Sequence, residues 1–121
     1  MEDDSKEIYE AYKAEAEEIL AQMRRSYESL KERSDMDALN EIARSCHKLK
    51  GAAGMMDYSH IEELAKEMET VSKLVVNKKL ELTPEAVNIL TEGLDLLTKY
   101  IETGFDDRDE KLLGKLRTFS V

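Results

Sequence analysis

Cys46-His47-Lys48-Leu49-Lys50-Gly51-Ala52-Ala53-Gly54 holds an imidazole, two cations and two glycines in a stretch whose apolar spacing is helical. On a helix, His47, Lys50, Gly51 and Gly54 stand at i, i+3, i+4 and i+7 and so share one face, turned away from Cys46 and Leu49. Each interior glycine costs about 1 kcal/mol relative to alanine. The return on that cost is access: a glycine one turn beyond an exposed imidazole removes the side chain that would crowd it. A lysine on the adjacent ridge supplies positive charge to whatever anion arrives, and phosphate is an anion that an imidazole nitrogen accepts covalently. The arrangement suits phosphoryl transfer to His47. Cys46 precedes His47 directly, but adjacent helical positions point about 100° apart, so the two form no catalytic pair, and Cys46 reads as a small core residue. His60 lacks a comparable setting and reads as structural.

The pattern His47-x-Leu49-Lys50-Gly51-x-Ala53-Gly54 resembles the signature of histidine phosphotransfer (HPt) domains, and among them the N-terminal phosphotransfer domain of CheA-type chemotaxis histidine kinases. The resemblance covers most of the chain, from a Glu-rich first helix to a fourth helix. It implies that His47 carries phosphate on Nε2. It also implies that Glu69, 22 residues later and next to Met68, accepts a hydrogen bond from Nδ1. A carboxylate there would hold the proton on Nδ1 and leave the Nε2 lone pair free to attack phosphorus. Lys50 is then expected to steady the phosphoryl group, and Gly51 and Gly54 to let a partner close in. Two residues depart from the family pattern. Asp57 stands where glycine commonly follows the motif, and Lys66 stands where some chemotaxis kinases carry a second histidine. Lys66, at i−3 from Glu69, is expected to pair with it or to add positive charge near the phosphate.

These residues must be held by helices. Proline occurs once and tryptophan never among 121 residues, and 41% of the chain is hydrophobic, a balance that favours one all-α domain spanning residues 1–121. From about Ser5 to Lys31, Ile8, Tyr12, Ala16, Ile19, Met23, Tyr27 and Leu30 recur every three or four residues, as on an amphipathic helix. Ser34-Asp35-Met36-Asp37 breaks the pattern and offers caps for a second helix, about Asp37 to Met55, with Leu39, Ile42, Cys46, Leu49 and Ala53 inward. Ser59 and Glu62 are spaced as a capping box for a third helix, whose seam is Ile61, Leu64, Ala65, Met68, Val71 and Val75 and which ends near Asn77. Thr83-Pro84 caps a fourth, with Val87, Leu90, Leu94, Leu97 and Ile101 as its stripe. Gly104 and Asp106-Asp107 turn the chain into a short fifth segment, about 106–119, carrying Leu112, Leu113, Leu116 and Phe119; it is either a closing helix or the start of a linker. Short connections predict an antiparallel, up-down-up-down four-helix bundle over about residues 5–103. Met55 and Met56 are expected to fill core.

A net charge of −9 argues against nucleic-acid and membrane-surface partners, and no stretch reaches the roughly 20 apolar residues of a membrane span. The acidic start, Met1-Glu2-Asp3-Asp4, is unlike a secretory signal, so the cytoplasm is the expected compartment and a monomer the expected state. No phosphate-cradling glycine loop is present, so ATP and Mg²⁺ are expected on partner proteins, a histidine kinase catalytic domain and a response-regulator receiver domain. No metal site or intrinsic cofactor is expected: a di-iron bundle would need paired Glu-x-x-His motifs, whereas Arg44 and Asp57 precede the two histidines by three. The alternative is a helical adaptor bundle in which His47 is dispensable. Both a free-standing carrier and a fragment of a larger sensor kinase fit the chain.

Overall fold

The computed structural model describes residues 4–33 and 35–120; the expected capping residue Ser34 and the acidic start at residues 1–3 lie outside the described residues, as does residue 121. Five helices follow in order: α1 (Asp4–Arg33), α2 (Met36–Met55), α3 (Ser59–Val76), α4 (Pro84–Thr103) and α5 (Glu110–Phe119). The connections are too short to do other than reverse the chain. α1 packs on α2 and α4, and α3 on α2 and α4, closing a four-helix ring. α5 is a closing helix: it lies on α3 and α4 and buries Leu112, Leu113 and Leu116.

The apolar stripes meet along the axis, where Leu20, Met23, Leu39, Leu49, Met68 and Leu97 are fully buried. Every expected inward residue of α2 and α3 is buried. Gly93 lets α4 approach α3 closely, since a Cβ there would stand 2.6 Å from Met68 Sδ. Ile8 departs from expectation and is exposed. α1 has 30 residues against 20, 18 and 20 in α2, α3 and α4, and Ile8 lies near its start, on a stretch longer than any of its neighbours. Val87 is only partly buried, and Met55, expected as core filler, stands at the surface where α2 ends.

The helix ends explain the boundaries. Asp35 Oδ1 accepts from Asp37 N, Thr83 Oγ1 from Ala86 N ahead of Pro84, and Asp109 Oδ1 from Leu112 N. The capping box expected at Ser59 and Glu62 does not form. Tyr58 occupies the cap position without a side-chain bond, because the chain leaves α2 through a tight turn that delivers it directly into α3. In that turn Tyr58 N donates to Ala53 O at 2.9 Å and Asp57 N to Gly54 O at 3.2 Å, with Asp57 left-handed at φ 60°. This is the turn that usually recruits glycine. Lys78 does the same after α3, with Lys79 N on Leu74 O and Lys78 N on Val75 O. Gly104 takes the left-handed position after α4 without a Cβ penalty.

α5 is fastened by charge. Arg108 donates to Glu63 from Nε at 2.5 Å and from Nη2 at 2.6 Å, and also pairs with Glu110; Arg117 reaches Glu63 at 2.8 Å and Glu67 at 3.1 Å. The hydrogen bonds from Arg108, joined by those from Arg117, outweigh desolvation and bring the Glu63 carboxyl down to about 2.

Two outcomes are expected. Asp57→Gly relieves the left-handed backbone and raises the urea midpoint, by roughly 0.5–1 kcal/mol at unchanged m-value; a lower midpoint would mean that the aspartate side chain itself supports the turn. Because the folded Glu63 carboxyl titrates below its unfolded value of about 4.3, its contribution is complete above that pH and is lost as pH falls toward 2. Glu63→Gln should therefore be less stable than the parent at neutral pH, with the two stability curves converging between pH 4.5 and about 2 in acid titrations followed by circular dichroism.

Candidate functional site

α2 separates two kinds of residue at one turn. Cys46 and Leu49 point into the core with no exposed surface, whereas the His47 side chain is 65% exposed. Burial pushes the Cys46 thiol well above its ordinary range, so it remains a protonated core group rather than a nucleophile. Across the α2–α3 interface, Glu69 sits beside the fully buried Met68, and only 6% of its own side chain is exposed. His47 Nδ1 donates to Glu69 Oε2 at 3.0 Å. Facing an ionised carboxylate, Nδ1 must carry the proton, which leaves Nε2 as the lone-pair nitrogen. Nε2 has no hydrogen-bond partner among the described residues.

A buried carboxylate needs a reason to stay charged. Desolvation is the largest single influence on Glu69 and opposes ionisation, yet hydrogen bonds from Lys73 and Lys50, the charge of Lys50 and the bond from His47 together outweigh it, and the carboxyl lies below its ordinary range. Lys50 Nζ reaches Oε1 at 3.1 Å and Lys73 Nζ reaches Oε2 at 2.9 Å. Two lysines on one carboxylate leave a surplus positive charge beside the ring, as an incoming phosphoryl group requires.

The structure therefore brings together His47, Lys50 and Glu69. It does not bring Lys66, which is exposed and makes no ion pair with Glu69. The cation there is Lys73, one turn later, which the sequence reading missed. The signal was present: a glutamate four residues before a lysine is the favourable helical order, whereas Lys66 precedes Glu69. Gly51 is open as expected, with no atom within 4 Å of where a Cβ would stand. Gly54 differs. A Cβ there would meet Glu62 Oε2, the far end of a flexible side chain on α3, at 3.0 Å. The groove beside His47, about 330 Å³, is lined by Asn40, Ala43, Arg44, Lys48, Glu69 and Lys73. A small cationic rim thus stands on a chain of net charge −9. Met55, four residues beyond Gly51 on the same helix, is 88% exposed and offers an apolar contact next to it.

Comparison with known proteins gives a consistent picture. The Hpt domain family model matches residues 7–102. The chain is 27% identical over 114 residues to the sensor histidine kinase CheAY of Helicobacter pylori, covering 93% of this chain and 14% of that protein. It is 27% identical over 100 residues to the chemotaxis protein CheA of Salmonella typhimurium, covering 82% and 15%, and 31% identical over 81 residues to CheA of Bacillus subtilis, covering 67% and 12%. The chain thus spans about one seventh of the length of the first two relatives. Among solved structures, the phosphorylated P1 domain of CheA3 in complex with CheY6 from R. sphaeroides superposes with a TM-score of 0.81 at 25% identity, covering 93% of this chain and 94% of that one.

Removing the carboxylate should release the ring. In Glu69→Ala, ¹⁵N spectra of His47 are expected to show a smaller Nδ1–H tautomer population than the parent at a pH where both rings are neutral. An unchanged tautomer ratio would show that the 3.0 Å contact does not hold the proton.

Proposed function

Since the chain belongs to the Hpt domain family, we propose that it is a phosphoryl carrier of a chemotaxis-type two-component pathway, with His47 as the acceptor. The observation that carries this reading is the 3.0 Å bond from the exposed His47 ring to the buried Glu69. In the loading step the Nε2 lone pair forms a bond to the γ-phosphorus of ATP held by a partner kinase domain. The bond from that phosphorus to the bridging oxygen breaks, and ADP leaves with the electron pair. Nδ1 keeps its proton, so the ring gains positive charge, and the Glu69 carboxylate stabilises it through a charge-assisted hydrogen bond. Lys50 and Lys73 offset the charge spread over the phosphoryl oxygens. In the unloading step an aspartate oxygen of a receiver domain attacks phosphorus, and the P–N electron pair returns to Nε2.

ATP and Mg²⁺ belong to the partners in this scheme, and the bundle needs no cofactor of its own. The receiver as recipient is supported by the likeness to a phosphorylated P1 domain in complex with CheY6. No helix among the described residues is long and apolar enough to cross a membrane; a cytoplasmic, monomeric carrier, free or as part of a longer kinase, is part of this proposal. Gly51, Gly54 and Met55 border the face of α2 that a partner approaches.

The test is incubation with a chemotaxis-type kinase catalytic domain, ATP and Mg²⁺, followed by mass spectrometry. An acid-labile phosphate on His47 that a receiver protein then removes is expected. His47→Gln should keep the helical circular dichroism and take no label. Gly51→Leu should slow transfer by about 10-fold, equivalent to about 1.4 kcal/mol in the barrier. Labelling of His47→Gln to the parent level would remove His47 as the acceptor, whereas a parent chain left unlabelled by every such kinase would leave a helical adaptor.

A further inference from the structure

The cations around His47 differ in what holds them. Lys50 Nζ and Lys73 Nζ lie 3.1 and 2.9 Å from a Glu69 carboxylate whose side chain is 6% exposed, so both ammonium groups are drawn down toward the level of Nδ1. Lys48 follows His47 directly and points about 100° away around the helix; it also lines a second groove, between α1 and α2, with Glu18 and Gln22. Arg44 is held by neither arrangement. It stands one turn before His47, at i−3, and lines the same groove of about 330 Å³. Its ion pair among the described residues is with Glu41 of its own helix, at 3.7 Å, between side chains that are 63% and 45% exposed. A long, exposed pair of this kind contributes little and gives way easily to another anion.

Side-chain direction favours Arg44 as well. A helical side chain leans back over the turn N-terminal to its own Cα, so the His47 ring lies over the turn that carries Asn40, Ala43 and Arg44, which line the groove with it. Nε2 is the ring nitrogen farther from the helix, and an arginine side chain is longer than a histidine. A forked guanidinium, loosely held, can therefore extend past the nitrogen that attacks phosphorus, with a geometry that matches phosphate oxygens.

The two transfer steps place different groups at that position. On the reading of this chain as a phosphoryl carrier, on which this inference rests, loading brings ATP. As Nε2 bonds to the γ-phosphorus, the bond to the bridging oxygen breaks and its electron pair passes to ADP. In an in-line displacement the β-phosphate lies on the far side of that phosphorus from Nε2, and it gains negative charge as ADP leaves. Unloading brings no such group: an aspartate oxygen attacks, and the leaving group is the His47 imidazole itself. We propose that Arg44 contacts the β-phosphate of ATP, and so serves the loading step and not the unloading step. Lys50 and Lys73 serve the transferred phosphoryl group, which both steps share.

The experiment compares three transfers in the full chain: from ATP and Mg²⁺ on a chemotaxis-type kinase catalytic domain to His47, from phosphoramidate to His47, and from phosphorylated His47 to a receiver. Phosphoramidate delivers the same phosphoryl group but releases ammonia, so it presents no β-phosphate. Arg44 is exposed, and Arg44→Ala should keep the helical circular dichroism. It should lower kcat of the kinase step about 10-fold with little change in the KM for the carrier, as for a charge-assisted bond that strengthens as ADP departs. Arg44→Lys should recover part of that loss, since it keeps the charge and drops the fork. Phosphoramidate labelling and the receiver step should stay within about 2-fold of the parent. Lys111→Ala, which removes an equal charge from an exposed position on α5, should match the parent throughout. A rise in KM alone would mean that Arg44 docks the kinase rather than the nucleotide. Equal slowing of all three transfers would assign it to the transferred phosphoryl group, and loading at the parent rate would assign it to neither. Each of these results overturns the inference and leaves the carrier reading in place, whereas a parent chain left unlabelled by both kinase and phosphoramidate would remove that reading and the inference with it.

Discussion

A carboxylate that is almost wholly removed from water survives as an anion only where other charges replace the lost hydration. In this bundle Glu69 is that carboxylate, and Lys50 and Lys73 are the replacements, one from the neighbouring helix and one from its own. The cluster cross-links α2 to α3. It also decides the state of His47, because an anion on Nδ1 holds the proton there. Stability and reactivity are thus coupled: the same ion pairs that make the buried charge tolerable orient the imidazole. Lys73 and His47 share Oε2, so the lysine places a positive charge next to the ring.

The packing around this cluster is asymmetric for a physical reason. Inward, Cys46, Leu49 and Met68 have no exposed surface, so the backbone under the site is held by a close-packed core. Outward, Gly51 leaves open space beside the ring. The helix that carries His47 is thus supported on one side and open on the other. The charge distribution has the same sense. On a chain of net charge −9, Arg44, Lys48, Lys50 and Lys73 gather near His47 and make a local group of cations beside the ring.

The opposite priority governs the end of the bundle where α3 begins. There the turn after α2 adopts a left-handed residue that is not glycine, α1 is longer than its neighbours, and α5 is fastened to α3 by arginines that are partly exposed. Such ion pairs contribute modestly in water; the buried leucines of α5 carry most of its attachment. A cavity with Tyr9, Tyr12, Tyr58, His60 and Tyr100 in its walls lies at this end.

Helix number, order and the inward faces of α2 and α3 were legible in the chain because a 3.6-residue period needs only local sequence, as do the caps at Asp35, Thr83 and Gly104. That His47, Lys50 and Gly51 share one face was legible for the same reason, since they lie within two turns of one helix. The partnership with Glu69 was drawn from a family likeness rather than from spacing. What the tertiary structure decided were relations between helices or between a helix and its end. Ile8 fails to be buried because burial needs a neighbour as well as a period. Ser59 fails to cap because the turn entering α3 is closed by backbone bonds. Gly54 faces Glu62 across an interface, and Lys73 rather than Lys66 reaches Glu69, because side-chain direction and the position of α2 select one of two lysines at helical spacing. Local periodicity is written residue by residue, whereas the pairing of charges across packed helices exists only once the helices have met.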